Sequence, residues 1–272
     1  MIHFTVVICL VGLTACQKVI NFDLNSPSPQ LVVEANLSDQ LMAGIVILSQ
    51  TVNFNEITQI PPVTGAVVEI SDSTSGINEI LHEASEGVYV TGHLKGIPGH
   101  RYRMKIEVNG QEYNAVSEMP YPVGIQSLEI ISELHYPSLA GGTDDEPTLH
   151  YRVKFEIADP AEYANYYRFV IYHKNRIISS HRVFSDQFHN GKIIADDFLL
   201  HDSDSFDPGD TIRIELLNID KNTYNFFRTL RDGAGGLSFL SASPSNPVSN
   251  ISNEGLGYFS ASSVKEGYVV VP

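Results

Sequence analysis

Between residues 31 and 120 the chain alternates apolar and polar side chains with a period of two, the pattern of half-buried β-strands. The clearest case is residues 102–108, where Tyr, Met, Ile and Val occupy one face and Arg, Lys and Glu the other. Asn109-Gly110 follows, which is the strongest two-residue hairpin signal. The run of short strands predicts an antiparallel β-sandwich of immunoglobulin-like type over residues 31–120.

Strand patterns resume after the proline-rich segment 119–122, which sets the predicted domain boundary at residue 120. Two closing strands are predicted at 258–264 and 268–271. Residues 221–232 change to helical spacing, because Tyr224, Phe227 and Leu230 would form one buried stripe. The chain is therefore predicted to be all-β. Its second domain, residues 121–272, would be an antiparallel sandwich or a partly closed barrel with one packed helix.

The N-terminus has the features of an export signal. Residues 1–15 carry no charged side chain, and residues 4–13 form an apolar run too short to span a hydrocarbon core, which needs about 20 helical residues. The run ends in Leu-Thr-Ala before Cys16, which resembles the lipobox of bacterial lipoproteins. We predict a signal peptide at 1–15, acylation of Cys16 and a tether at 16–30. The alternative is a buried N-terminal strand with an ordinary cysteine.

Charge and cysteine content exclude several kinds of partner and site. The formal net charge of −15 repels nucleic acid phosphates and anionic headgroups, so we predict no nucleic acid partner and a membrane contact through the lipid alone. Of the two cysteines, Cys9 lies in the predicted signal, which leaves only Cys16 in the mature chain. An internal disulfide and a metal site with several thiolates are thereby excluded. No cofactor is predicted.

Catalytic motifs are absent from the sequence: there is no Gly-x-Ser-x-Gly elbow, dinucleotide-binding turn or P-loop. His173, His181 and His189 are spaced by eight residues, and Asp196-Asp197 offers two carboxylates. An atypical hydrolase would require several of these side chains to converge. Exposed strand histidines and solvated acidic runs are the commoner explanation, so we expect a protein that is not an enzyme.

Candidate binding residues come from one strand and one long loop. Alternation places Tyr166 and Arg168 on one face of a strand and Tyr167 and Phe169 on the other. One face must be core, and the other could be a binding face. The loop at 234–257 carries several apolar side chains, which predicts either a cap over a pocket or a packed surface loop. The candidate binding residues are Tyr166, Arg168, Phe239, Asn246 and Asn250.

Several segments together resemble a known family. They are the lipobox, QEYNAVSEMP at 111–120, NYYRF at 165–169, SDQFHNG at 185–191, and the tail from NPVSNI at 246 to GLGYFSA at 255. These segments resemble the Bacteroidota lipoproteins grouped as domain of unknown function 4249, over essentially the whole mature chain. The resemblance implies an outer-membrane accessory lipoprotein, because such proteins are typically encoded near TonB-dependent receptors. It supplies no catalytic residues.

We accordingly predict a membrane-anchored envelope lipoprotein that acts as a non-enzymatic binding or accessory partner of a TonB-dependent outer-membrane transporter. The alternatives are an adhesin or structural cell-envelope module and, less favoured, the atypical hydrolase. The predicted location is the outer membrane. The first acidic residue after Cys16 is Asp23, so the acidic signal that often accompanies surface display in this phylum is missing directly after the cysteine. The periplasmic and surface faces both stay open.

Overall fold

The computed structural model describes residues 28–40, 44–52, 60–135, 148–200, 206–234 and 246–272. The predicted signal peptide, Cys16 and Phe239 lie outside these residues. Within them the chain forms strands and one helix, which confirms the predicted all-β class with a single packed helix. In chain order the elements are β1 Leu31–Ser38, β2 Gly44–Gln50, β3 Val67–Asp72, β4 Asn78–Ile80, β5 His82–Ser85, β6 Val88–Val90, β7 Arg101–Val108, β8 Gln111–Glu118, β9 Ile125–His135, β10 Thr148–Ala158, β11 Tyr166–His173, β12 Arg176–Ser185, β13 Ile193–Leu200, β14 Thr211–Ile219, α1 Lys221–Ala234 and β15 Leu256–Val270.

The strands form one large sheet and two small ones. The large sheet has eight strands in the order β12-β11-β14-β15-β1-β2-β6-β5. The small sheets have the orders β4-β3-β7-β8 and β13-β10-β9. None of the sheets of the described residues is closed into a barrel, and the core of the second half lies between two facing sheets, as in the first of the two predicted alternatives, the sandwich.

Strand β15 joins the two halves of the chain. Its first part pairs in parallel with β1, with Val33 opposite Gly257, and its second part pairs antiparallel with β14. Phe259 and Ala261 belong to the first hydrophobic core and Val269 to the second. Because alternate residues of a strand face the same side, both cores lie on one face of β15. The predicted boundary at residue 120 stays a prediction, but the two parts that it separates share this strand.

The two cores are filled by alternate residues of the sheets that enclose them. The first core contains apolar side chains of β1, β2, β3, β6 and β7, among them Leu37, Ile70 and Tyr102. The second lies between β11 and β14 on one side and β9, β10 and β13 on the other. Tyr167 and Phe169 are fully buried in this second core, so they share one face of β11, as predicted, and that face is the core face.

The helix covers the opposite face of the large sheet. Asp220 caps it, because its Oδ1 accepts a hydrogen bond of 2.8 Å from the Thr223 backbone N–H. Phe227 is buried in a third apolar cluster, with Tyr224 and Leu230 packed partly buried against it, so the predicted stripe is confirmed. No helix of the residues that the structure describes is long and apolar enough to cross a membrane.

One prediction about the C-terminus is wrong. The two predicted closing strands are a single strand, β15, in which Lys265, Glu266 and Gly267 continue the pairing with β14. The polar pair followed by glycine has the composition of a turn. The structure shows another reason for the glycine: a Cβ at Gly267 would overlap with the side chain of Leu128 on β9. The residue allows close packing of the two sheets and does not end the strand.

Two hairpin turns use the same backbone geometry. The predicted Asn109-Gly110 turn joins β7 to β8, with φ values of 51° and 74°. Lys174 and Asn175 join β11 to β12 with φ values of 49° and 62°. Positive φ at both central residues is typical of the type I′ turns that match the twist of paired strands. The second turn lacks glycine, so the sequence signal for it is weaker.

A buried carboxylate at the end of β3 gives the fold a pH dependence that can be measured. Burial raises the pKa of Asp72, but hydrogen bonds from His100 and from the backbone N–H groups of Ser75 and Thr74 outweigh it and lower the pKa to about 2. A carboxyl group with a depressed folded pKa stabilises the fold above its unfolded pKa, and this stability is lost as pH falls through the folded pKa.

We therefore expect Asp72→Asn to lower the free energy of unfolding by about 2 kcal/mol at pH 7. The difference from wild type should shrink as pH falls from the unfolded value of 3.8 to about 2. Urea unfolding measured over this pH range tests the prediction, with Asp196→Asn on the exposed surface of β13 as the control. A difference that does not change with pH would contradict the assigned hydrogen bonds.

Candidate functional site

The candidate binding residues do not form one site. Tyr166 and Arg168 share a face of β11, as predicted, but they line different cavities. Asn250 lines a third, shallow depression, and Asn246 is exposed where the described chain resumes. Phe239 and the lipidation residue Cys16 lie outside the described residues. Of the candidates, Arg168 has the most unusual environment.

Arg168 is a buried cation without an ion-pair partner among the described residues. It is only 6% exposed. Its Nε donates a hydrogen bond of 2.7 Å to the backbone carbonyl oxygen of Ser180 on the neighbouring strand β12. Burial lowers the pKa of Arg168, while Tyr258, Tyr172 and Glu215 act in the opposite direction. Arginine nevertheless stays protonated in proteins, so the positive charge is retained inside the fold.

Aromatic rings hold the guanidinium group in place. Its central carbon lies 3.8 Å from the centre of the Phe227 ring and 6.0 Å from that of Tyr258. Phe227 and Tyr258 contact each other, with ring centres 4.9 Å apart. Stacking on an aromatic face partly offsets the loss of hydration of a buried arginine. It leaves the nitrogen atoms at the edge of the guanidinium plane as the groups that can bind a ligand.

A cavity of about 350 Å³ opens beside this arginine, and we call it the Arg168 pocket. Its walls come from β1, β11, β12, α1, β15 and the segment before β15. Its volume is within the range of small-molecule sites. The lining side chains on which the argument depends are Glu34, Arg168, His181, Phe226, Phe227 and Tyr258.

The rim of the Arg168 pocket carries two further titratable groups. His181 is exposed there, with its ring centre 6.1 Å from that of Phe227. Burial by neighbouring atoms and then the charge of Arg168 lower the pKa of His181, whereas Glu34 raises it. The net shift is downward from 6.5, so His181 is neutral at pH 7. The fixed charges of the pocket are therefore a cation inside and the Glu34 carboxylate at the rim.

The carboxylate of Glu215, whose charge acts on Arg168, is already engaged by other side chains. Glu215 on β14 accepts a hydrogen bond of 3.0 Å from the Tyr172 hydroxyl. It also forms an ion pair with Arg213, whose guanidinium carbon lies 3.7 Å from the centre of the Tyr172 ring. Glu215 influences Arg168 at a distance but does not pair with it. The guanidinium of Arg168 is thus oriented by aromatic rings and a carbonyl, and not by an acid.

Tyr166 lies in a groove between the two halves of the chain. Its ring centre is 5.0 Å from that of Tyr224 on the helix. The groove has a volume of about 560 Å³ and is lined by Tyr121 and Tyr163, which are 62% and 64% exposed. Its polar neighbours have structural roles, because the Asn165 side chain donates to the carbonyl oxygens of Pro160 and Tyr163. This groove has aromatic surface, and the charged side chains that line it include Glu118, which pairs with Arg101, and Lys221.

The second half of the long loop packs down on the protein. Ile251 is buried in the first core, and the Ser252 backbone N–H donates a hydrogen bond of 2.8 Å to the Asn114 carbonyl oxygen. Pro247 lines the Arg168 pocket. Residues 235–245 lie outside the described part of the chain. The structure therefore tests the two predicted alternatives, a cap over a pocket or a packed surface loop, only for residues 246–257, and these residues pack on the protein.

The side chain of Asn250 forms hydrogen bonds with the backbone of Phe259 on β15, as a neighbouring strand would. Its side-chain nitrogen donates a hydrogen bond of 2.8 Å to the Phe259 carbonyl oxygen, and its oxygen accepts one of 2.9 Å from the Phe259 N–H. Both amide atoms are therefore engaged by the backbone of β15, which accounts for this asparagine structurally.

We expect Asn250→Ala to lower the free energy of unfolding by about 2 kcal/mol, because two hydrogen bonds are lost and two backbone groups of Phe259 lose their partner. The exposed Asn246→Ala should leave stability unchanged. Urea unfolding of both variants tests this. Wild-type stability of Asn250→Ala combined with weaker ligand binding would instead assign Asn250 to a binding site.

The residues considered for a hydrolase have separate neighbours. His173 is buried, with its Nε2 2.8 Å from Asp210 Oδ2 and its ring against Phe206 of the second core. His181 contacts the helix on the opposite face. His189 is exposed after β12. On β13, Asp196 is exposed and Asp197 pairs with Arg152. The described residues contain no group of three His, Cys, Asp or Glu side chains that could hold a metal ion.

The chain matches the model of a known protein family. A family model described as Domain of unknown function (DUF4249) matches residues 17–267. The matched span includes every residue of the Arg168 pocket. None of the curated proteins compared with this chain matches it.

Proposed function

The chain belongs to the family described as Domain of unknown function (DUF4249), and from that premise we propose that it is an envelope lipoprotein with a binding role and no catalytic activity. Its anchor would be the acylated Cys16, its location the outer membrane, and its partner a TonB-dependent transporter. Support for the anchor comes from the lipobox, and support for the transporter comes from the resemblance to Bacteroidota lipoproteins of this family. The binding site would be the Arg168 pocket.

The observation that carries the binding role is the buried guanidinium of Arg168, which has no ion-pair partner among the described residues and lies in an accessible aromatic cavity. A buried charge without a counter-ion is costly, and proteins keep such groups where a ligand completes them. Arg168 stays protonated at physiological pH, so it suits an anion-binding role better than proton transfer. An adhesin or structural spacer predicts no such pocket, so the pocket favours the binding role over that alternative.

We expect the acylated protein, recovered from detergent-solubilised envelopes with a C-terminal tag, to retain a TonB-dependent transporter identified by mass spectrometry. Val271 is buried but the terminal Pro272 is exposed, so a tag can extend from this end. A transporter recovered equally from a tagged, unrelated lipoprotein would contradict the proposed partner.

Arg168→Met tests whether the pocket is the contact. Methionine keeps an apolar stem against Phe227 but removes the charge. Arg182→Met is the matched control, because Arg182 lies on the adjacent strand with its guanidinium carbon 5.0 Å from the Phe198 ring centre, outside the pocket. If the transporter is no longer recovered with Arg168→Met but is still recovered with Arg182→Met, the result would support the pocket as the contact site. Equal recovery with both variants would keep the accessory role and remove the pocket from it.

A further inference from the structure

The donors of the Arg168 guanidinium define what the pocket can hold. Nε is occupied by the Ser180 carbonyl oxygen at 2.7 Å, and Phe227 covers one face of the plane at 3.8 Å. The terminal nitrogens interact with the Tyr258 side chain and have no carboxylate partner among the described residues, so they retain donors for a ligand in the cavity. Two parallel donors at the edge of a guanidinium match the two oxygens of a carboxylate in a bidentate pair. A single carboxylate therefore fits both the charge and the geometry of the group.

Apart from Glu34, Ser180 and His181, the rest of the pocket lining is mostly apolar. Phe226, Phe227 and Leu230 of the helix and Leu256 and Tyr258 of β15 supply most of it. A hydrated anion such as inorganic phosphate would lose water against these walls without gaining hydrogen bonds from them. A ligand with an apolar group next to its carboxylate would instead gain from burial, at about 25 cal/mol per Å² of apolar surface.

The rim of the Arg168 pocket limits the number of negative charges that a ligand can carry. Glu34 lies at the mouth of the pocket, opposite Tyr258 in the β1–β15 pairing. Its carboxylate would repel a second acidic group on a ligand whose first carboxylate reaches Arg168. His181 is neutral at pH 7 and so does not cancel this repulsion. The rim thus selects against dicarboxylates.

The mouth of the pocket continues onto an apolar sheet surface. Ile47 on β2 pairs directly with Glu34, and Ile45 follows on the same face. These two side chains are 38% and 40% exposed. A ligand longer than the pocket could therefore extend its apolar part along β2. This surface could contact either a small acid with a long apolar part or the last residues of a peptide.

We infer that the Arg168 pocket binds a monocarboxylate with an apolar body, held by a bidentate ion pair to the Arg168 guanidinium beside the rings of Phe227 and Tyr258. This inference rests on the proposed binding function and names its ligand class. The carboxylate comes either from a small organic acid or from the free C-terminus of a polypeptide.

The test compares acids with their amides on the full mature protein in detergent. The probes are N-acetyl-L-phenylalanine and its amide, and the tripeptide Gly-Gly-Phe with a free and an amidated C-terminus. Binding is measured by isothermal titration calorimetry and by ligand-observed NMR. We expect each acid that binds to do so at least ten-fold more tightly than its amide. Binding of both acids indicates a site for small acids, and binding of the tripeptide alone indicates a polypeptide C-terminus.

Variants assign the binding to the pocket. Arg168→Met should weaken acid binding at least ten-fold, and Arg182→Met should leave it unchanged. Arg168→Lys keeps the charge but lacks the two parallel donors of the guanidinium, so it should lower the affinity for the acid by an intermediate amount. This variant also tests the site if Arg168→Met does not fold. Glu34→Gln should bring the affinity for succinate closer to that for butyrate.

Three results would overturn the inference: no binding of either acid to wild type at millimolar concentration, equal affinities of acid and amide, or unchanged binding by folded Arg168 variants. Capture of the transporter without binding of an acid would refute only this inference. Binding of the acid through Arg168 without capture of the transporter would refute the proposed partner and support the ligand class.

Discussion

Cys16→Ala is expected to move most of the protein from the membrane fraction to the soluble fraction. The net charge of −15 gives it no attraction for anionic headgroups, so the acyl chains would be its only direct attachment to the lipid. Each CH₂ group buried in the bilayer contributes about 0.8 kcal/mol, and losing several chains removes essentially all affinity. Fractionation of the envelope followed by immunoblotting measures the change. Mass spectrometry of the wild type should find a chain that begins at residue 16 with an acylated N-terminal cysteine.

The chain supplies a matched control for this experiment. Cys9 is its only other cysteine and lies within the predicted signal peptide. Cys9→Ala should leave both the membrane attachment and the mass of the mature protein unchanged. Wild-type protein that retains Met1 and a free thiol at residue 16 would contradict export as a lipoprotein, and with it the proposed location.

Gly257→Ala is expected to lower the free energy of unfolding by about 3–5 kcal/mol or to prevent folding. Gly257 has a φ of +100°, a conformation that side chains disfavour. A Cβ there would also overlap with the carbonyl oxygen of Val33, to which Gly257 is paired in the parallel β1–β15 ladder. Relieving the overlap would push β15 away from β1 and disturb Tyr258 in the Arg168 pocket. Urea unfolding measures the loss of stability.

Gly209→Ala separates backbone strain from steric overlap. Gly209 has a similar φ of +90°, but nothing lies within 4 Å of a Cβ at this position. We expect backbone strain alone to lower the free energy of unfolding of this variant by about 1–2 kcal/mol. Gly257→Ala that is no less stable than Gly209→Ala would show that β1 and β15 do not approach as closely as the structure has them.

The sequence predicted the candidate site only in part. Strand alternation placed Arg168 on the face opposite the core residues Tyr167 and Phe169, and helical spacing identified Phe227 as buried. Neither pattern could show that Phe227 stacks on Arg168, because that contact depends on how α1 folds back over the sheet. Glu34 carried no signal of a site at all. It reaches the pocket only through the parallel pairing of β1 with β15, near the other end of the chain.

The sequence by itself determined the all-β class, most strand positions, the Asn109-Gly110 turn and the helix. These features depend on neighbours a few residues apart, since side-chain periodicity and positive φ are local properties. Only the tertiary structure decided that β15 is one strand, that it joins both cores, and that Gly257 and Gly267 are required by close approach. It also placed Arg168, which has no ion-pair partner among the described residues, beside an aromatic cavity. Such contacts join distant segments, and many pairings of the same strands satisfy the same alternation, so only packing in three dimensions selects one of them.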